Sequence, residues 1–383
     1  MSVSFLDLRR EHEEVGADVR AATERVLAGG TYVLGREVEV FEREWARFCG
    51  VRGCASVGNG TDALALALLA SGAVRPGRRD EVITAPLTAG YTALAILNAG
   101  GVPVFADVDP ETYTLDPRVL EHALTPRTRA VVPVHLYGQL ADIEAVREFA
   151  GRRGLVVVED AAQAHGARLG GRRAGAWGDA AAFSFYPTKN LGAYGDGGAV
   201  TSDDAHLIER VKELRQGGHP SALGRRVAGR NSRLDELQAA LLRVKLGRLD
   251  AWNMRRQRLA GLYQRLLTRG VGRLVLPSAH RGAGSHVFHL YVISHPKRDR
   301  LRAHLAARGV ETLIHYPSPL HLQPLFRRRV RPALPAAERL ASEILSLPLY
   351  PQLREDELRV VADAVLEFEG MKDEGERVPG AGF

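Results

Sequence analysis

Short, unbroken apolar runs alternate along this chain with stretches in which apolar residues recur every three or four positions. Between Cys54 and Ser202 the runs CASVGN, DEVITA, VPVFADV, RAVVPVHL and LVVVED read as strands. TDALALALLASG, TAGYTALAILNAG, DPRVLEHAL and DIEAVREFAGRRG, which separate them, read as helices. The strand runs do not alternate in polarity, as expected where helices cover both faces of a parallel sheet. AAAFSFY and GGAVTSD add two shorter strands. The pattern therefore predicts a large α/β domain around a mostly parallel sheet of about seven strands.

After Asp203 the period becomes helical, through RLDELQAALLRVKLGRLDAWNMRRQRLAGLYQRLL. That run is too long for one straight globular helix and predicts a bend near Gly247 or Asp250. Beyond Pro277 the order changes. HVFHLYVIS reads as a strand and RDRLRAHLAARG as a helix, followed by a proline-rich loop and a last helix, REDELRVVADAVLEFE. The expected division is a large domain over 1–250 with an N-terminal helical segment, a small α+β domain over 251–369, and a disordered tail over 370–383.

Composition narrows the function class. Of 383 residues, 45% are hydrophobic and 25% charged, as in an ordinary globular protein. No run approaches the roughly 20 apolar residues that cross a bilayer, and MSVSFLDLRREHEE lacks the layout of a secretory signal. A cytoplasmic protein without a membrane partner is expected. Cys49 and Cys54 are the two cysteines, and their spacing makes no CxxC pair, so they read as reduced structural thiols. The 52 basic and 45 acidic residues leave a charge of +7. The arginines are interspersed with acids and form no aromatic-interleaved stripe, which argues against nucleic acid. The balance suits a small polyanionic substrate.

Three segments carry candidate chemistry, each just after a predicted strand, where ligands sit in open α/β sheets. In GNGTD, Gly60, Thr61 and Asp62 open a helix whose first N–H groups lack partners and can bind phosphate. The plainer reading is a helix capped by Thr61 or Asp62. Asp160 ends LVVVED, where a buried carboxylate demands a cation or a strong donor, and a pyridinium N–H would serve. Gln163 and His165 follow on the same loop and can hold a ring substituent. The plainer reading there is a capping aspartate beside a satisfied histidine. Lys189 lies in SFYPTKNLGAYGDGG, whose apolar surroundings favour the neutral, nucleophilic amine. Gly192, Gly195, Gly197 and Gly198 let the backbone approach a flat ligand closely. The alternative is a turn lysine at the surface. Phosphate-binding helix start, strand-end acid and lysine together match what pyridoxal 5′-phosphate requires.

GNGTDAL, VVEDAAQAHGA, FSFYPTKNLGAYGDGGAV, GRNSRLDELQAA and HYPSPLHLQP, in this order, resemble the DegT/DnrJ/EryC1/StrS sugar aminotransferases. These are pyridoxal-phosphate enzymes of fold type I, similar in fold to aspartate aminotransferase, and the resemblance runs from about Ser4 to Glu369. It implies that Lys189 bonds the cofactor aldehyde and later moves the proton, that Asp160 pairs with the ring nitrogen, and that Gln163 contacts the ring near its 3-oxygen. It places Gly60, Thr61, the backbone at Asp62, and Ser184 around the phosphate. Asn231 would reach that phosphate from the other subunit of a homodimer with shared active sites. Arg233, His315, Tyr316 and His321 would contact substrate. His315 and His321, six apart in a proline-rich loop, lack metal-site spacing, so no metal is expected. One departure stands out: family members usually set an aromatic residue against the outer face of the ring, and LTAGYT places Ala89 there, with Tyr91 two positions on.

The implied substrates are a nucleotide-linked keto sugar and L-glutamate. FYPTKNLGA and HLYGQLAD look more like members that aminate C3 of dTDP-linked 3-keto-6-deoxy sugars. The alternatives are amination at C4 of a dTDP- or UDP-linked 4-keto sugar and, in a different class, a pyridoxal-phosphate-binding regulatory protein without turnover. Relatives that dehydrate the sugar look like proteins with histidine where Lys189 stands, so the lysine argues against that reaction.

Overall fold

The strands of the large sheet form where the apolar runs lie. They are β1 (Gly53–Val57), β2 (Glu81–Thr84), β3 (Val102–Phe105), β4 (Thr128–Val132) and β5 (Val156–Asp160). A two-residue hairpin, β6 (Arg168–Leu169) and β7 (Arg172–Arg173), precedes β8 (Ala180–Ser184) and β9 (Gly198–Ser202). In the computed structural model the sheet order is β1-β9-β8-β5-β4-β2-β3, with β9 antiparallel to both neighbours and the remaining pairs parallel. The structure describes residues 2–371 apart from 219–227, 269–271, 279–281, 283 and 327–332. All but the first two residues of the expected tail, 370–383, lie outside the described residues, and Gly370 still belongs to the last helix.

The helices are α1 (Leu8–Gly29), α2 (Arg36–Cys49), α3 (Gly60–Ala70), α4 (Gly90–Asn98), α5 (Ile143–Gly151), α6 (Ala205–Leu214) and α7 (Glu236–Leu246). They are followed by α8 (Leu249–Leu267), α9 (Arg298–Ala307), α10 (Pro335–Glu343) and α11 (Glu355–Gly370). Helix α3 is apolar all round and buried from Ala63 to Ala70, wedged against β8, β9, α4 and α6. The long helical run breaks at Gly247–Arg248, close to the expected bend. Two expectations fall short. DPRVLEHAL forms a 3-10 turn, Pro117–Ala123, rather than an α-helix. HVFHLYVIS yields only β10 (Tyr291–Ser294), because the residues before it leave the ladder to pack on the large domain. Helix α10 and β11 (Ile344–Leu347), which pairs antiparallel with β10, went unread in the proline-rich stretch. Pro335 stands at the first helical position, where its missing N–H costs nothing.

Helix α8 joins two cores. Trp252 packs with α1 and α7, whereas Leu259 to Leu267 pack with α9, α11, β10 and β11. Val3 pairs with Val310 and lies in that second core, so the N-terminus is tied to the C-terminal unit. Cys49 and Cys54 are buried free thiols, and burial raises both well above the usual thiol range. No described helix is long and apolar enough to cross a membrane.

The start of α2 has no side-chain cap of its own; Glu236 of α7 supplies one. Its carboxylate accepts from the N–H groups of Gly35, Glu37 and Val38, each at 2.8 Å. Glu236→Ala strands three donors, two of them partly buried, and should cost on the order of 3 kcal/mol, with Glu236→Gln costing less. Denaturant unfolding of the two variants checks this, and equal midpoints with the parent would contradict it.

Candidate active site

At the carboxyl ends of β5 and β8 lies a cavity of about 820 Å³ whose wall includes Thr61, Asp160, Gln163, Ser184, Lys189 and Tyr316. Backbone contact shapes its floor. A Cβ on Gly60 would fall 2.6 Å from Ser184 Cβ, and one on Gly198 would fall 2.4 Å from the carbonyl oxygen of Asn59. Both glycines are needed for α3 to start directly against β8 and β9, and this brings the Ser184 hydroxyl to the helix N-terminus. The cap of α3 is Asn59, which accepts from the Asp62 N–H at 2.8 Å. The Asp62 carboxylate is spent on Arg230 at 2.9 Å and Ser232 at 2.8 Å. The Gly60 and Thr61 amides therefore remain as the open donors of this end, with no acceptor among the described residues.

Asp160, 8% exposed, ends β5. Its Oδ2 accepts from the Thr92 hydroxyl at 2.8 Å and its Oδ1 from the Ala162 N–H at 3.2 Å. Thr88 Oγ1 lies 3.2 Å from Thr92 Oγ1 and extends the chain. The preceding residue, Glu159, points to the other face of the sheet. There it accepts from Gly175, Trp177 and Gly178 amides at 2.7–2.9 Å and pairs with His135 Nε2 at 2.8 Å. Burial pushes Glu159 up, but these donors outweigh it and hold the group below the usual carboxylate range. Asp160 has no such cation among the described residues; it faces the cavity that Lys189 also lines. Burial lowers the Lys189 ammonium to about 8, against an opposing pull from Asp160.

Gln163 has both ends of its amide engaged. Its Oε1 accepts from the Tyr137 N–H at 2.6 Å, and its Nε2 donates to the Tyr316 hydroxyl at 3.1 Å. Tyr137 also donates its hydroxyl to the His315 carbonyl, which fastens the 315–316 loop over the cavity. Ala89 is the N-cap residue of α4 and lines the cavity, as does Tyr91, which is 67% exposed.

Several expected contacts fall elsewhere. His165 lies fully buried between Trp45, Phe183 and Phe185 rather than in the cavity wall, and burial with the nearby Lys189 lowers it to about 3. His321 is 1% exposed and bonded through Nε2 to Glu338 of α10 at 3.0 Å, so its ring braces the loop from behind. His315 stacks on Phe5, and its Nδ1 lies 2.8 Å from Ser346 Oγ. Asn231 and Arg233 are exposed and outside the cavity wall. Among the described residues no group of three or more His, Cys, Asp or Glu is placed to hold a metal. Thr88, Thr92 and Tyr186, which also line the cavity, went unread. Two threonines four apart at a helix start were the available signal for the first two.

Over residues 13–366 the chain matches the DegT/DnrJ/EryC1/StrS aminotransferase family. The chain belongs to that family. It is 48% identical over 368 residues, 96% of each chain, to a dTDP-3-amino-3,4,6-trideoxy-alpha-D-glucose transaminase of Streptomyces venezuelae. The crystal structure of S. venezuelae DesV with a ketimine intermediate superposes with a TM-score of 0.91 at 47% identity, covering 97% of this chain and 100% of that one. NtdA of Bacillus subtilis with bound cofactor PMP gives 0.89 at 31% identity, covering 97% and 86%. The protein is thus a fold type I, pyridoxal-phosphate-dependent aminotransferase.

The cavity of this aminotransferase suits that cofactor on its own terms. A buried acid with no close ion pair among the described residues, a lysine with a depressed pKa and a helix end with open amides beside a serine hydroxyl answer to ring nitrogen, aldehyde and phosphate in turn.

Two predictions follow from this geometry. Thr92→Val removes the donor to Asp160 and should weaken cofactor binding to the apoenzyme about tenfold, with Thr92→Ser restoring it, as read by absorbance titration. Because only the neutral amine acylates, labelling of Lys189 in the apoenzyme should rise with pH through about 8. Pulse acetylation with peptide mass spectrometry reads the midpoint; one near the roughly 10.4 of a solvated lysine would contradict the burial argument.

Proposed function

We propose that this aminotransferase moves an amino group from L-glutamate to C3 of a dTDP-linked 3-keto-6-deoxyhexose, as a cytoplasmic homodimer with shared active sites. The observation that carries the reading is Lys189, with its amine near pKa 8, sharing one cavity with a buried Asp160 that makes no close ion pair among the described residues. The S. venezuelae transaminase, similar along nearly the whole chain and named for a dTDP-linked 3-amino sugar, supports the nucleotide and the carbon. Asn231 and Arg233 stand exposed outside their own cavity, which favours a second copy as the one that uses them.

Bound pyridoxal phosphate supplies an electron sink that makes the amine donor's carbon acidic. The chain's residues do the rest. Gly60 and Thr61 amides with Ser184 would hold the phosphate, and Asp160, anchored by Thr92, would face the ring nitrogen. Gln163, clamped between Tyr137 and Tyr316, braces the edge of the ring. Lys189 Nζ would be the group that holds the aldehyde end and, as a free amine, the base positioned to move a proton at the substrate carbon. A nearly neutral pKa lets one amine do both. The same Nζ would serve both amine donor and keto sugar, since both would be handled in the one cavity.

Lys189→Ala and Lys189→Arg should abolish turnover, and glutamate should convert the cofactor of the parent protein to its amine form but not the cofactor bound by either variant. A panel of dTDP- and UDP-linked 3-keto and 4-keto sugars, with the product nitrogen located by NMR, tests the regiochemistry. Amination at C4 alone would replace the C3 reading. Retention of the yellow form after glutamate addition would remove the enzymatic one.

A further inference from the structure

Asn253 sits near the start of α8, 5% exposed. Asparagine is a mediocre residue inside a helix, and a buried amide costs free energy unless both of its ends are bonded. Both ends are bonded here, and their partners belong to the two loops that carry Asp160 and Lys189. Its Oδ1 accepts from Asn190 Nδ2 at 2.8 Å, and its Nδ2 donates to the His165 carbonyl at 2.8 Å.

Each end is itself fixed. Asn190, the neighbour of Lys189, also donates to the Val287 carbonyl at 3.3 Å and lies with its Oδ1 3.2 Å from His289 Nδ1. Next to His165, Gly166 has φ +86°, and a Cβ there would meet Asn253 Nδ2 at 2.8 Å. The amide thus fills a close gap between the loops, with opposite polarity at its two ends. It does not line the cavity itself.

We propose that Asn253 is a positioning residue that sets the span between the Asp160 loop and the Lys189 loop. That span must match a ring held by its nitrogen at one end and bonded to lysine at the other. The proposal rests on the reading that Lys189 bonds the cofactor. A carboxylate cannot substitute: Asn253→Asp keeps the shape and the contact with Asn190 but sets an oxygen against the His165 carbonyl.

The test is a double-mutant cycle on cofactor affinity. Pyridoxal phosphate is titrated by absorbance into apoenzymes of the parent, Asn253→Ala, Lys189→Ala and the double variant, with apoenzyme Tm as the control for folding. With Lys189 present, Asn253→Ala should raise Kd about tenfold or more; without it, less than about threefold, because contacts coupled through a shared partner are not additive. An equal loss in both backgrounds, or none in either, would overturn the proposal and leave Asn253 as helix packing alone. If Asn253→Ala gives no folded apoenzyme, Asn253→Asp carries the same cycle with the same criteria. The underlying reading fails separately: a Lys189→Ala protein with the parent's Kd and spectrum would show that Lys189 does not bond the cofactor at all.

Discussion

Everything in the site is arranged around a carboxylate that the sheet carries out of water. Asp160 is delivered to the carboxyl end of β5 by a largely buried strand, so it meets little solvent outside the cavity. Thr92 and the Ala162 amide donate hydrogen bonds to it and bring no charge. Its neighbour Glu159 shows the contrast. One residue earlier and on the opposite face, Glu159 meets three amides and a histidine and is fully satisfied within the protein. The period of a β-strand therefore separates a structural acid from one that remains available to a ligand.

Lysine chemistry depends on the same burial. Desolvation lowers Lys189 to about 8, and Asp160 limits the drop by attraction. The imidazoles of His165, His289 and His315 are all driven down by burial, with Lys189 contributing, so none places a second positive charge beside the amine at neutral pH. Close backbone approach at Gly60 and Gly198 then fixes where α3 begins relative to β8, and with it the position of its open amides.

Much of this was legible in the residues alone. Continuous apolar runs of four to seven residues fix a buried strand regardless of what surrounds it, and the sheet formed where they lie. GNGTD, the strand-end Asp160 and Lys189 were recognisable because each couples a local backbone event to a chemical group at once. The same locality explains the failures. DPRVLEHAL has a helical look, with Asp116 as cap and Pro117 first, yet it closes only a 3-10 turn. In the stretch before α10, frequent prolines hid a helix for which Pro335 is in fact a good first residue.

The sequence by itself determined the strands, the helix start at Gly60, and which acid and which amine stand just beyond strand ends, since those follow from neighbours in the chain. Only the tertiary structure decided that the candidate histidines stand behind the cavity wall and not in it. His165 and His321 look as available as any polar residue on a loop, yet one is enclosed by aromatics and the other turned back to Glu338. It also decided that Thr92, 68 residues from Asp160, bonds its carboxylate, and that Asn253, 93 residues away, bonds the loops at His165 and Asn190. The physical reason is that a hydrogen bond is specified by where two atoms end up. Periodicity along the chain carries the direction of a side chain but not the identity of what lies opposite it.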